Sequence, residues 1–197
     1  ARKAEIIPYL DALTRQLEIP VILVSHDHAE VARLADHLVL ISDGQVQGSG
    51  PLNEMLTRLD QSLALDADAG AVLEGVVLEL EQQWGLARIE AGGTNLLVPA
   101  AALEPGDQVR LQIAARDVSL VRQPPNDSSI LNILPVRIAG LDAHGPLVNV
   151  RLTTADGSAL LSRISRKSAS DLGLQTGMKL HAQVKGIALL GDHAGHH

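Results

Sequence analysis

The chain has 197 residues, a formal net charge of −7 and no cysteine, so disulfide bonds and thiolate metal ligands are excluded. Aromatic residues make up 1% of the chain, which argues against a nucleic-acid partner, because single-strand binders stack bases on aromatic side chains. No signal-peptide pattern opens the sequence and no apolar run approaches the roughly 20 residues that span a bilayer, so we expect a soluble, cytoplasmic protein.

Residues 21–28, VILVSHDH, predict a strand that ends in a histidine and a helix that follows it. Four apolar residues predict the strand at 21–24, and Asp27 and Glu30 fit a capping box at the start of the helix. We therefore expect His26 at the rim of a sheet, where the ligands of open α/β sheets bind. A surface histidine at a helix start is the alternative interpretation.

The stretch that follows, EVARLADHLVLISDGQVQGSGPLNEML, predicts a second strand at 38–42 and a tight turn at Asp43-Gly44. The order of strand, histidine, helix, strand and turn resembles the end of an ABC-type ATPase domain. This resemblance implies that His26 contacts the γ-phosphate of ATP and helps to position the attacking water. His26, His28 and His37 do not have the spacing or the carboxylate neighbours of a metal site, so no metal ligand is predicted.

Other parts of such an ATPase are missing from this sequence. There is no G-x-x-x-x-G-K-[ST] loop for phosphates and no apolar strand that ends in an Asp-Glu pair for magnesium. A helix is predicted over residues 1–20, and we expect residues 1–60 to be the C-terminal part of an ATPase domain from a longer polypeptide. The resemblance implies ATP and Mg²⁺ as cofactors of that full-length parent, and we expect no ATP hydrolysis by this chain alone.

Residues 61–71, which include DADAGA, predict a linker. Beyond it come short strands separated by Gly, Pro and Asp, such as AVLEGVVLEL, GLARIE and QVRLQIAA, and these predict a barrel or sandwich. We expect a first β unit at 72–122 and a second at 127–191. The predicted fold class is thus an α/β remnant of an ABC ATPase domain followed by an all-β, OB-like domain of two similar units.

The second β unit is similar in sequence to the first. The matching pairs are Leu73–Ile133, Val76–Val136, Leu78–Ile138 and Gly85–Gly145 at an offset of 60 residues, and Gly106–Gly177, Val109–Leu180, Gln112–Gln183, Ile113–Val184 and Val118–Leu189 at an offset of 71. The extra residues of the second unit, SRKSASDLGL, predict a short helix that begins near Ser165 or Ser168 and ends at Gly173. Each unit is expected to cover an exposed sheet edge of the other.

Three stretches of the second unit are similar to the molybdate-binding module called Mop, a version of the TOBE domain. They are SSILN at 128–132, SRISRKSASDLGL at 162–174 and QTGMKLHAQVKGIALL at 175–190. IAARDVSL at 113–120 resembles the corresponding stretch in ATPase subunits of molybdate importers.

The Mop resemblance places Ser129, Ser168 and Lys185 at the family's ligand positions, with molybdate as the ligand. Two hydroxyls, an ammonium group and the backbone amides at the start of a helix suit a tetrahedral dianion. Many members have S-A-R-N where this chain has Ser129-Ile130-Leu131-Asn132, so an arginine is replaced by Leu131. Arg163 or Arg166 either compensates for it or is an ordinary surface charge. Turn formation by Ser129 and a solvent-facing Lys185 are the alternatives.

Two functions fit these patterns. The first is the C-terminal part of the ATP-hydrolysing subunit of an ABC importer for molybdate or a related oxyanion, with a regulatory or dimerising oxyanion-binding domain. Its partners are a second copy of the chain and a membrane permease, through which it lies at the inner face of the cell membrane. The second is a stand-alone module that stores or senses oxyanions. Residues 127–191 carry seven Lys or Arg and four Asp, a balance of +3 that fits a small anionic ligand, although ordinary variation is the alternative.

Overall fold

The computed structural model describes Leu10 and residues 20–60, 62–66, 68–99 and 103–190. The predicted helix before residue 20 lies, apart from Leu10, outside these residues. The described chain begins with helix α1 (His28–Leu34), the hairpin of β1 (His37–Ser42) and β2 (Gln45–Pro51), helix α2 (Leu52–Leu56) and a 3-10 helix (Ser62–Leu65). No helix of the described residues is long and apolar enough to cross a membrane.

Ten strands and one helix follow among the described residues. In chain order they are β3 (Gly70–Glu81), β4 (Leu86–Ala91), β5 (Thr94–Pro99), β6 (Gln108–Ala114), β7 (Val118–Val121), β8 (Asn132–His144), β9 (Leu147–Thr153), β10 (Ala159–Ser165), α3 (Arg166–Asp171), β11 (Lys179–Val184) and β12 (Ala188–Leu190). A 3-10 turn, Ala115–Asp117, separates β6 from β7.

Helix α1 starts where the sequence predicts, but its cap differs from a simple capping box. The Asp27 carboxylate accepts hydrogen bonds from the N–H groups of Ala29 and Glu30 at 2.9 and 3.3 Å. Glu30 does not reach back to the Asp27 N–H; it accepts from the Ser25 hydroxyl at 2.6 Å, and Ser25 Oγ accepts from the Asp27 N–H at 3.1 Å. Ser25 therefore relays the reciprocal bond of the capping box.

The strand predicted at 21–24 is not formed. Residues 20–24 have no regular secondary structure, and none of the described strands pairs with them. A strand needs a neighbour that bonds its backbone groups and covers its side chains. No described strand does this here, and Val21, Ile22 and Val24 are 56%, 92% and 94% exposed. The strand and turn predicted after α1 are confirmed by β1 and by Asp43 and Gly44, whose φ angles are 51° and 73°.

The two β units exchange their last strands. One sheet has the order β12-β6-β3-β4-β5 and the other has the order β10-β9-β8-β11-β7. Strand β7 leaves the first unit to pair with β11, and β12 leaves the second to pair with β6. The prediction of two similar β units in an OB-like domain is confirmed, and each unit does cover an edge of the other. The boundaries at 72–122 and 127–191 stay a prediction, because the exchanged strands cross them.

One aliphatic core lies between the two sheets and includes residues from both units. Ile89 and Leu111 of the first unit and Val150 and Leu152 of the second are fully buried in it. The second sheet closes toward a barrel where the buried Ser162 hydroxyl of β10 donates to the Val118 carbonyl of β7 at 2.6 Å. The exchanged strand β7 therefore closes the second sheet on itself.

The internal repeat is real, but the offset of 60 is wrong by one residue. The β3–β6 pair Ala71↔Ile113 corresponds to the β8–β11 pair Asn132↔Val184, so β3 matches β8 at an offset of 61. A slip of one residue exchanges the two faces of a strand, and the 60-residue match pairs exposed Leu78 with buried Ile138. The offset of 71 holds between β6 and β11.

Asn132 fastens the second unit to an edge strand of the first. It is 9% exposed, its Nδ2 donates to the Leu97 carbonyl at 2.9 Å, and its Oδ1 accepts from the Leu97 N–H at 2.7 Å. The side-chain amide thus takes the place of a neighbouring strand for this residue of β5.

We expect Asn132→Ala to lower the free energy of unfolding by about 2–4 kcal/mol, because two hydrogen bonds are lost and the Leu97 groups are left without a partner. Asn126, an exposed residue of the connection before β8, offers a matched control, and Asn126→Ala should change stability by less than about 0.5 kcal/mol. Urea unfolding followed by circular dichroism measures both. Equal stability of the two variants would contradict the role of Asn132.

Candidate functional site

Ser129 and Lys185 lie near the same end of one strand pair. Strand β8 begins at Asn132, which pairs with Val184, the last residue of β11. Lys185 follows directly, and Ser129 lies three residues before Asn132. Both side chains are exposed. That they contact one ligand stays a prediction, and both side chains are accessible to such a ligand.

The connection that carries Ser129 crosses the outer face of β11. Both β7 and β8 are antiparallel to β11, so the chain must return past β11 between Val121 and Asn132. Gln183, whose neighbours Ala182 and Val184 face the core, donates from its side-chain amide to Ser128 Oγ at 3.4 Å. Ser128 Oγ also accepts from the Ile130 N–H at 3.0 Å. These contacts hold the backbone on both sides of Ser129, and the sequence alone gave no sign of them.

Ser168 lies at the opposite end of the same unit. Helix α3 follows Ser165, which pairs with Leu147, and Leu147 pairs with His144 at the far end of β8 from Asn132. The structure therefore brings Ser129 and Lys185 together but does not bring Ser168 to them within one copy of the chain.

The prediction of free backbone amides at the start of α3 is wrong for two residues, whose N–H groups are already hydrogen-bonded. The Ser168 N–H donates to Ser165 Oγ at 2.9 Å, and the Arg166 N–H donates to the Pro146 carbonyl at 2.8 Å. Ser165 is the N-cap residue of this helix, and such a cap satisfies amides that would otherwise be open. The Ser168 hydroxyl is half-buried and lies 2.7 Å from Ser165 Oγ, so it keeps capacity for one further bond.

Arg163 does not compensate for the missing arginine at position 131. Its Nε donates to Asn149 Oδ1 at 2.9 Å and its Nη2 donates to the Ala64 carbonyl at 2.7 Å, which ties the 3-10 helix to the second unit. Arg166 is exposed at the start of α3. Leu131 itself is 64% exposed, so its side chain leaves open the place where other members carry a guanidinium group.

His26 lies at the edge of a cavity between the start of α1 and the first β unit. The cavity has a volume of about 600 Å³. Four carboxylates line it, Asp27, Asp66, Asp68 and Asp117, together with His26, His28, Gln112, Ala114, Arg116 and the segment 186–188. Arg116 pairs with Asp68 at 3.1 Å. Among the described residues no group of three or more His, Cys, Asp or Glu has the geometry of a metal site.

Arg110 of β6 joins the first β unit to the helix that follows His26. Its Nη1 donates to the carbonyls of Arg33 and Ala35 at 3.2 and 3.1 Å, and its Nη2 pairs with Asp36. These carbonyls end α1, where the helix dipole is negative, so a guanidinium group is favourable there. Sequence patterns did not single out Arg110, because its partners are 74 to 77 residues away in the chain.

Comparison with known proteins gives one consistent family. Residues 128–189 match the TOBE domain. Over 96% of its length the chain is 46% identical to the molybdenum import ATP-binding protein ModC of Aromatoleum aromaticum and 48% identical to that of Pseudomonas aeruginosa. Over almost its whole length the chain is thus similar to part of these molybdenum import ATP-binding proteins. It spans about half the length of the curated relatives it matches, 50% and 53% for these two.

A solved structure supports the fold of the β units of this chain. The cytoplasmic molybdate-binding protein ModG, crystallised with molybdate bound, aligns with a TM-score of 0.55 and 22% sequence identity. The alignment covers 61% of this chain and 95% of ModG. At this level of identity the likeness is one of fold, and it agrees with the all-β, OB-like domain predicted from sequence.

We expect Arg110→Gln to loosen helix α1 while the sheets remain intact, because α1 loses the charged donor that binds its last carbonyls. Amide exchange in residues 31–35 should become at least about tenfold faster, corresponding to about 1.4 kcal/mol. Arg116→Gln is the matched control, since Arg116 is exposed and its salt bridge is on the surface. Unchanged exchange in the Arg110→Gln protein would contradict the role of this contact.

Proposed function

We propose that this chain is the C-terminal part of the ATP-hydrolysing subunit of an ABC importer for molybdate or a related oxyanion, and that its β domain binds the oxyanion and regulates or dimerises the subunit. The observation that carries the proposal is the extent of the likeness to the ModC proteins. The alignment with the first relative spans 190 residues. The two β units occupy only residues 70–190, so the alignment extends beyond them. The α/β residues around His26 therefore share in it.

The proposed chemistry divides between the two parts of the chain. In the full-length subunit, ATP and Mg²⁺ would be held by residues that this sequence does not contain, such as a phosphate-binding loop. His26, exposed before α1, would contact the terminal phosphate. A permease in the cell membrane would be the partner, with the subunit on the cytoplasmic face.

The oxyanion would be held by Lys185 and Ser129 of one copy and Ser168 of a second copy. Two points support this division. Lys185 and Ser129 share one end of the β8–β11 pair, and Ser168 lies at the other end. A dianion bridging two copies would receive an ammonium group and hydroxyls, and it would link oxyanion concentration to dimer formation.

A stand-alone oxyanion-storing module is the second candidate, and the fold likeness to ModG favours it. The two candidates differ in the function of residues 20–56. In a storage protein these residues would have no function, whereas in an ATPase subunit their removal would affect coupling to transport.

We expect molybdate to bind the 197-residue chain in calorimetric titration. Lys185→Gln should weaken this binding about 10- to 100-fold, because one charge-assisted hydrogen bond is lost. Lys179→Gln is the control, because Lys179 is exposed at the opposite end of β11 and its substitution removes the same charge. Sulfate and phosphate titrated in parallel test selectivity. Absence of heat with every oxyanion would leave the β domain a purely structural role.

Complementation tests whether two copies share a site. Lys185→Glu and Ser168→Asp should each abolish binding, because a carboxylate then faces the dianion. In co-expressed mixtures of the two variants, heterodimers have one site with both native residues, so about a quarter of all sites should recover binding. If the mixture binds no better than either variant, the site does not join residues of two copies.

A further inference from the structure

The strand ladders define which positions of the two β units are equivalent. Val72↔Gln112 of the first unit corresponds to Ile133↔Gln183 of the second, at offsets of 61 for β3 and 71 for β6. The same offsets hold further along, where Gly106 donates to the Val77 carbonyl and Gly177 donates to the Ile138 carbonyl, both at 2.8 Å. The equivalence therefore rests on backbone pairing and does not depend on sequence similarity.

These offsets assign counterparts to the oxyanion residues. Gln112 corresponds to Gln183 within the ladders, and the same offsets, carried one to three residues past the ladder ends, align Ala114 with Lys185 and Asp68 with Ser129. All three counterparts line the cavity beside His26. The first unit thus has a cavity at the place that is equivalent to the proposed oxyanion site, but a carboxylate replaces a hydroxyl and a methyl group replaces the ammonium group.

The two places lie close together along the chain where the strands are exchanged. The Lys185 N–H donates to the Asp117 carbonyl at 2.9 Å, and residues 186–188, directly after Lys185, line the cavity. The cavity also contains the carboxylates of Asp27, Asp66 and Asp117, with Arg116 as its cation. Asp68 adds a fourth carboxylate, and with a methyl group at position 114 only the guanidinium group of Arg116 offsets them among the lining residues, so the charge balance of the cavity disfavours a dianion.

We propose that Asp68 and Ala114 are specificity-determining residues that exclude oxyanions from the first unit, so that each chain contributes one oxyanion site and the space beside His26 stays free of the ligand. This inference rests on the proposed oxyanion binding by the second unit. Its consequence is that bound oxyanion does not reach His26 directly. The segment between Lys185 and β12 forms part of the wall of the cavity, so it is the physical link between the two places.

The test is the stoichiometry of molybdate binding by the whole chain, measured by calorimetry. The native chain should bind one molybdate per chain, and Lys185→Gln should leave no second class of sites. Adding Asp68→Ser and Ala114→Lys to the Lys185→Gln chain should restore binding at least about tenfold tighter than Lys185→Gln alone. The new ammonium group and hydroxyl then take the equivalent positions of the first unit.

The control for the added substitutions is Glu90→Ser with Ala139→Lys in the same Lys185→Gln background. Both residues are exposed, the net charge changes equally, and neither lines the cavity, so binding should not return. Thermal melts of all variants verify folding. Two molybdate ions per native chain, or no gain from Asp68→Ser with Ala114→Lys in a folded protein, would overturn this inference. Failure of the native chain to bind any oxyanion would instead overturn the proposed function.

Discussion

The exchange of β7 and β12 is the constraint on which the rest of the structure depends. Each β unit ends in a strand that completes the sheet of the other, so neither unit retains all its backbone partners alone. The exchange places aliphatic residues of both units in one core. It also fixes where the chain passes between sheets, at 115–117 after β6 and at 185–187 after β11. Both candidate regions lie at these passages: Lys185 at the second, and the cavity beside His26 between the two.

Further contacts of this arrangement link the β domain to the helices and the hairpin at residues 28–56. Arg110 binds the end of α1, and Asn53 of α2 donates to the Ala159 carbonyl at 2.9 Å and accepts from the Val72 N–H at 3.0 Å. A small apolar cluster that includes Ala32, Leu52 and Val72 lies between them. Through these contacts the β domain touches helix α1, which starts after His26. Such contact is a requirement for coupling, and only a measured coupling energy demonstrates it.

Sequence reasoning predicted those features that depend on local chemistry or on similarity between neighbours in the chain. The N-cap at Asp27, the Asp43-Gly44 turn and the short helix near Ser165 each follow from a few adjacent residues. The prediction of a strand at 21–24 was wrong because a strand forms only where another strand pairs with it. The predicted repeat offset was wrong by one residue because a match between hydrophobic residues tolerates a slip of one position, whereas backbone pairing does not.

The candidate site was predictable only in part for the same reason. Ser129 and Lys185 were found by their resemblance to a known module, and the β8–β11 register places them near the same end of this strand pair. The contacts of Gln183 with Ser128, of Arg163 with Ala64 and of Arg110 with α1 join residues 55 to 99 positions apart. No pattern within a single strand or helix predicts such contacts, and they determine which polar groups remain available to a ligand.

We propose that an oxyanion is bound by Lys185 and Ser129 together with Ser168 of another copy. The most direct measurement is a crystal structure of this chain grown with tungstate, in which anomalous scattering locates the metal. We predict a peak within hydrogen-bonding reach of Lys185 Nζ and Ser129 Oγ of one copy and of Ser168 Oγ of its neighbour. A peak in the cavity beside His26, or none near Lys185 at saturating tungstate, would contradict the account.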